Sequence, residues 1–109
     1  MLRFPAPLAL LPLLWLAACT SSEERAATYA VAAEQALAAG ADVVKFQVYF
    51  ADSLVSPVES PDRHRHFRRF ELPLAEHVRL ADAVLAAGAK YSASVWDPAS
   101  VDALAGKVA

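Results

Sequence analysis

A single cysteine, Cys19, excludes an intrachain disulfide, so no covalent link closes this chain. Three glycines are few for a protein made of short strands and tight turns, which argues against an all-β architecture. Neither charge sign is in surplus: ten Lys and Arg stand against twelve Asp and Glu, a net charge of −2. That balance creates no long-range attraction to nucleic acid or to an anionic membrane surface. The apolar stretch from Leu8 to Ala18 is interrupted by Pro12 and falls short of the ~20 residues a bilayer-spanning helix needs. With 109 residues there is room for one small domain and not for two.

What the chain does have is a 57% apolar fraction, above the usual ~45–50%, much of it alanine in helical runs. Residues 1–20 read as a leader. Arg3 supplies a positive start, Leu8 to Ala18 an apolar middle, and Leu16-Ala17-Ala18-Cys19 ends it before the polar Thr20-Ser21-Ser22. That ending resembles the lipobox of bacterial lipoproteins, which makes Cys19 a lipidation candidate and a possible membrane anchor. The same pattern also arises as an accidental apolar leader in an alanine-rich sequence, and both readings stand.

Residues 21–109 form the domain. Ser21 and Glu24 have capping-box spacing at the start of a helix reaching Gly40, with a narrow stripe of Ala26, Tyr29, Ala30, Ala33 and Leu37. A strand follows over Asp42 to Tyr49. Phe50 to Leu72 reads as irregular, with Pro57, Pro61 and the basic run Arg63 to Arg69, in which a short helix buries Phe67 and Phe70. A second helix runs from Pro73 to Ala87 with Leu74, Val78, Ala81 and Leu85 inward, closed by Gly88. A strand over Lys90 to Trp96 leads into a third helix, capped by Asp97 with Pro98 at its first turn and with Val101, Leu104 and Val108 inward. Helix, strand, helix, strand, helix is the grammar of parallel α/β structure.

Within the first strand, Val44, Phe46 and Val48 share one face, while Val43, Lys45, Gln47 and Tyr49 share the other. An amine and an amide on a strand face either reach water or line a site. Strands of (β/α)8 barrels do the second, presenting polar groups at their C-terminal ends. The bland alternative for Lys45 is a strand-end lysine that snorkels to solvent. Ser92, Ser94 and Trp96 share a face of the second strand, where a small residue also fits a crowded layer. His64 and His66 alternate on one side of an extended chain, a sparse basis for a metal site. His77 reads as a packing or capping residue. The arginine run reads as a solvated face or an anion clamp, and without clustered aromatics it does not read as an RNA surface.

These residues resemble a family. Ala39-Gly40-Ala41-Asp42-Val43-Val44-Lys45-Phe46-Gln47 is similar to the second-strand motif of the sialic acid (N-acetylneuraminate) synthases. The similarity continues through Ala51-Asp52-Ser53-Leu54-Val55-Ser56, Phe67 to Leu72, Glu76-His77, Ser92 to Asp97 and Ser100-Val101-Asp102, in order. The resemblance implies a partial (β/α)8 TIM barrel of two to three βα units. It implies a phosphoenolpyruvate-dependent condensation with an N-acylated amino sugar such as N-acetylmannosamine, aided by manganese or magnesium. It puts Lys45 at the phosphoenolpyruvate anion, Gln47 on the sugar and metal side, and Ser94 where relatives carry a hydroxyl near the phosphate. It implies cytoplasmic chemistry, against which an exported, lipid-anchored module is the alternative.

The chain also departs from the family. Its leader stands where members carry a first strand with an acidic residue and an Asn-His-x-Gly turn. The later strands, the metal-binding histidines and the antifreeze-like domain have no counterpart. The resulting expectation is a fragment that is inactive alone, or one completed by a second chain, with apolar strand faces such as Val44, Phe46 and Val48 short of helical cover.

Overall fold

A computed structural model describes residues 21–109. These hold five helices and two strands, in the order α1 (Ser22–Ala38), β1 (Val43–Val48), α2 (Ala51–Leu54), α3 (Pro61–Phe70), α4 (Leu74–Ala86), β2 (Lys90–Val95) and α5 (Pro98–Leu104). The two strands pair in parallel, so the domain is mixed α/β.

Local chemistry sets the element ends. The Ser21 hydroxyl accepts from the Glu24 amide at 3.1 Å, and the Glu24 carboxylate accepts from the Ser21 amide at 2.8 Å, which satisfies two free donors of the first turn. Both long helices end in the same way. The Gly40 amide donates to Leu37 and the Ala41 amide to Ala36, and Gly88 and Ala89 repeat this onto Leu85 and Val84. Gly40 and Gly88 take φ of 98° and 85°. A Cβ at either place meets no atom within 4 Å, so backbone conformation rather than crowding calls for glycine there.

Asp97 caps α5 doubly. One carboxylate oxygen accepts from the Ser100 amide at 2.9 Å, and the other from the buried Ser100 hydroxyl at 2.7 Å. Asp97→Ala is expected to cost about 1–2 kcal/mol, read as a lowered urea midpoint, with Asp97→Asn intermediate.

The helices cover one face of the sheet. Val44 and Val48 of β1, Tyr91 of β2, Ala33 of α1, Ala81 and Val84 of α4 and Leu104 of α5 form one buried cluster. Ala26 and Ala30 of α1, Leu80 of α4 and Leu72 form a second. Phe46 packs against both clusters, and its ring stacks on Tyr91 with centroids 5.9 Å apart. The expectation that Val44, Phe46 and Val48 lack cover is therefore corrected: Val48 is 0% exposed and Phe46 is half-buried. Small alanines let α1 approach closely, so few helices suffice for this face.

Three further expectations change, the first being that Val101 and Val108 face inward: both are exposed, and α5 ends at Leu104. The stretch from Phe50 to Leu72 is more ordered than expected: the short helix expected around Phe67 and Phe70 is present as the ten-residue α3, and α2 precedes it. Two hydrogen bonds tie its end to the first helix and a third closes the stretch on itself. Arg25 donates to the Glu71 carbonyl at 3.1 Å, the Tyr29 hydroxyl donates to the Phe70 carbonyl at 2.8 Å, and the Ala51 amide donates to the Glu71 carboxylate at 3.3 Å. Phe67 is half-buried against Tyr49, but Phe70 is exposed. On α4 the buried arc is His77, Leu80, Ala81 and Val84, while Leu85 is exposed. The helix is wedged between α1, the sheet and α5, which rotates its inward face by one position.

Beyond α5, Val108 bridges in parallel to Tyr91, and the Ala109 amide donates to the Tyr91 carbonyl at 2.8 Å. This third backbone segment lies alongside β2.

Candidate functional site

The register assembles the site. Val43 pairs with Lys90, Lys45 with Ser92, and Gln47 with Ser94. Register partners in a parallel pair sit side by side, ~4.8 Å apart, with side chains on the same face. That face is the one opposite the helices. Lys45 and Gln47 are exposed on it, and Ser92 and Ser94 are half-buried. Gln47 and Ser94 are thus direct neighbours, and Lys45 lies one step back along β1, beside Ser92. These six positions hold two lysines, an amide and two hydroxyls and no carboxylate, so the face suits an anion with hydrogen-bonding groups.

Three aromatic rings stand where this face reaches the C-terminal ends of the strands. Tyr49 continues the 43, 45, 47 row and Trp96 continues the 92, 94 row. Their ring centroids are 6.4 Å apart, edge to face. Phe67 of α3 closes on Tyr49 at 5.3 Å, also edge to face. Tyr49 is buried by this arrangement, and that desolvation is the main reason its hydroxyl pKa is raised. Trp96 remains 50% exposed.

The basic helix α3 is largely committed to local pairs. His64 Nε2 lies 2.7 Å from Asp52, and Arg68 reaches the same carboxylate at 3.3 Å. The His64 hydrogen bond, followed by the Arg68 charge, holds the Asp52 carboxyl below its ordinary range. Arg65 pairs with Asp62 on its own helix. Because α3 is helical, His64 and His66 point to different sides, and His66 packs edge-on against Phe70 at 5.1 Å. No three His, Cys, Asp or Glu side chains converge to hold a metal ion among the described residues.

An open groove of about 540 Å³ lies at the opposite end of the sheet, between Glu34, Leu37, Asp42 and Gly88. None of Lys45, Gln47 or Ser94 lines it. No described helix is long and apolar enough to cross a membrane. Cys19 and the leader expected over residues 1–20 lie outside the described residues.

A family comparison matches residues 32–108 to the NeuB family. The chain belongs to the NeuB family, the sialic acid synthase family. Comparison with curated proteins and with solved structures gave no match. The segment matched to the NeuB family contains both strands, α2 to α5 and all of Lys45, Gln47 and Ser94. Strand parity alone put Tyr49 and Trp96 on this face. What parity lacked was Phe67, which reaches Tyr49 only because α3 folds back across the strand ends.

Proposed function

We propose that this domain is part of a phosphoenolpyruvate-dependent sugar acid synthase, with the uncovered sheet face turned toward the interior of a (β/α)8 barrel. One observation carries the reading: Lys45, Gln47 and Ser94 lie together on the face the helices leave open. In such a barrel the helices take the outer side and polar groups at strand ends meet the ligand.

Each side chain then has a role its chemistry suits. The Lys45 ammonium, a compact charge with three donors, holds the phosphoenolpyruvate anion and offsets charge that grows on the leaving phosphate. The Ser94 hydroxyl donates to a phosphate oxygen. The Gln47 amide both donates and accepts, so it orients the hydroxyls and the aldehyde of an N-acylated amino sugar. The enol carbon attacks that aldehyde, water adds at C2 and phosphate leaves.

The family's manganese or magnesium does not fit the described residues, which offer no ligand set. In this reading its ligands, and the walls that exclude water, come from further strands or from a second chain completing the barrel. The domain alone binds phosphoenolpyruvate weakly and turns nothing over.

A graft tests this. Residues 41–104 replace the equivalent segment of an active NeuB-family synthase, and phosphate release from phosphoenolpyruvate with N-acetylmannosamine and manganese is measured. The graft is expected to turn over, and the isolated chain is not. A folded graft without activity, or phosphate release by the isolated chain, would contradict the proposal.

A further inference from the structure

The aromatic lip at the strand ends has no part in the roles above, yet it borders the same face. Trp96 is the largest half-exposed ring of the domain, and one of its neighbours is fixed. Tyr49 meets it edge to face, and Tyr49 is itself held by Phe67. An edge-to-face contact leaves an aromatic ring with area free for a second apolar partner. The indole is therefore a supported platform and not a loose surface side chain. Along β2 it follows Ser94 with the same parity, so a ligand held by Gln47, the register partner of Ser94, has its next portion over Trp96.

The surroundings say what that portion is. The row that leads away from the ring begins with an amide and a hydroxyl, Gln47 and Ser94, and continues to Lys45 and Ser92, which suits a polar molecule with one small apolar part. An extended protein surface would want a broad apolar patch, and here the exposed ring is bounded by polar strand residues.

We propose that Trp96 determines specificity by packing against the N-acyl group of the amino sugar, whose hydroxyls are held by Gln47. The proposal rests on the synthase reading of this face. The methyl of the acyl group covers the indole, and the amide part stays within reach of the hydrogen-bonding row. A free amine at the same place leaves the ring wet and brings a positive charge toward Lys45.

Saturation-transfer difference NMR on the full chain tests it, with N-acetylmannosamine, mannosamine and phosphoenolpyruvate as separate probes. Saturation is expected to concentrate on the acetyl methyl of N-acetylmannosamine. Trp96→Ala should weaken that sugar about tenfold, and Trp96→Phe should retain most of the binding. Mannosamine should bind more weakly than its acetylated form in the parent chain and equally weakly in Trp96→Ala. Phosphoenolpyruvate should respond to Lys45→Ala and be indifferent to Trp96→Ala. Unchanged sugar binding in Trp96→Ala, with phosphoenolpyruvate still Lys45-dependent, would overturn the role of Trp96 and leave the synthase reading intact. If neither ligand binds, both fall. Self-association of the parent chain that Trp96→Ala abolishes, with sugar binding unaltered, would assign the ring to an interface between copies and overturn the proposal.

Discussion

Between pH 7 and pH 4 the fold is expected to lose about 3 kcal/mol of stability through one side chain, His77. His77 is 2% exposed in the first turns of α4, and its Nδ1 finds no hydrogen-bond partner. Burial pushes its pKa from 6.5 down to about 4. The folded state therefore holds the imidazole neutral through a range in which the unfolded chain protonates it. Stability from this group is complete above pH 6.5 and is lost progressively as pH falls toward 4. Asp52, whose carboxyl pKa is lowered from 3.8, acts in the same direction but only at more acid pH, so the two windows are separable. Urea midpoints at half-unit pH steps should fall between pH 6.5 and 4 in the parent chain. His77→Leu should flatten that fall while shifting stability at pH 7 by less than about 1.5 kcal/mol, because it removes an unpaired polar atom and keeps an apolar filling. An equal acid slope in His77→Leu would show that another group titrates.

The second large effect belongs to Lys45. In the grafted synthase, Lys45→Ala should lower kcat/KM for the condensation by about 10²–10³-fold, the usual cost of removing one charge-stabilising donor from an enclosed site. Lys90 is the internal control. It shares the face and the charge, but it opens β2, at the end away from Trp96. Lys90→Ala should therefore change the rate less than about fivefold, as expected of a lysine whose charge is solvated. Equal losses at both lysines would mean that overall positive charge matters and position does not. No loss at Lys45 would make it the snorkelling strand-end lysine that its exposure alone permits.

Much of this architecture is legible in the sequence, for identifiable reasons. Capping at Ser21 and Asp97 and the glycine stops at 40 and 88 depend on residues within a few positions of each other, so local pattern finds them. Period-two alternation separates Val44 and Val48 from Lys45 and Gln47, and the parallel register then brings Gln47 to Ser94. The readings that fail depend on tertiary contact. The inward arc of α4 is set by three neighbours at once, and a stripe drawn through Leu74, Val78, Ala81 and Leu85 misses His77, Leu80 and Val84. α2 and the full length of α3 are hidden by Pro57 and Pro61, although a short helix at Phe67 and Phe70 is legible, and the return of this stretch across the strand ends depends on Tyr29 and Arg25 of a distant helix. The aromatic lip inherits that difficulty, since Phe67 joins Tyr49 only after α3 is in place.

The central claim is that the open sheet face, and no other basic surface, receives the anion. The measurement that tests it most directly is a phosphoenolpyruvate titration of the uniformly labelled chain, followed by backbone and lysine side-chain chemical shifts. Shifts are expected at Lys45, Gln47, Ser92 and Ser94, and none of them in Lys45→Ala. Shifts confined to Arg63, Arg69 and their neighbours on α3, persisting in Lys45→Ala, would contradict it.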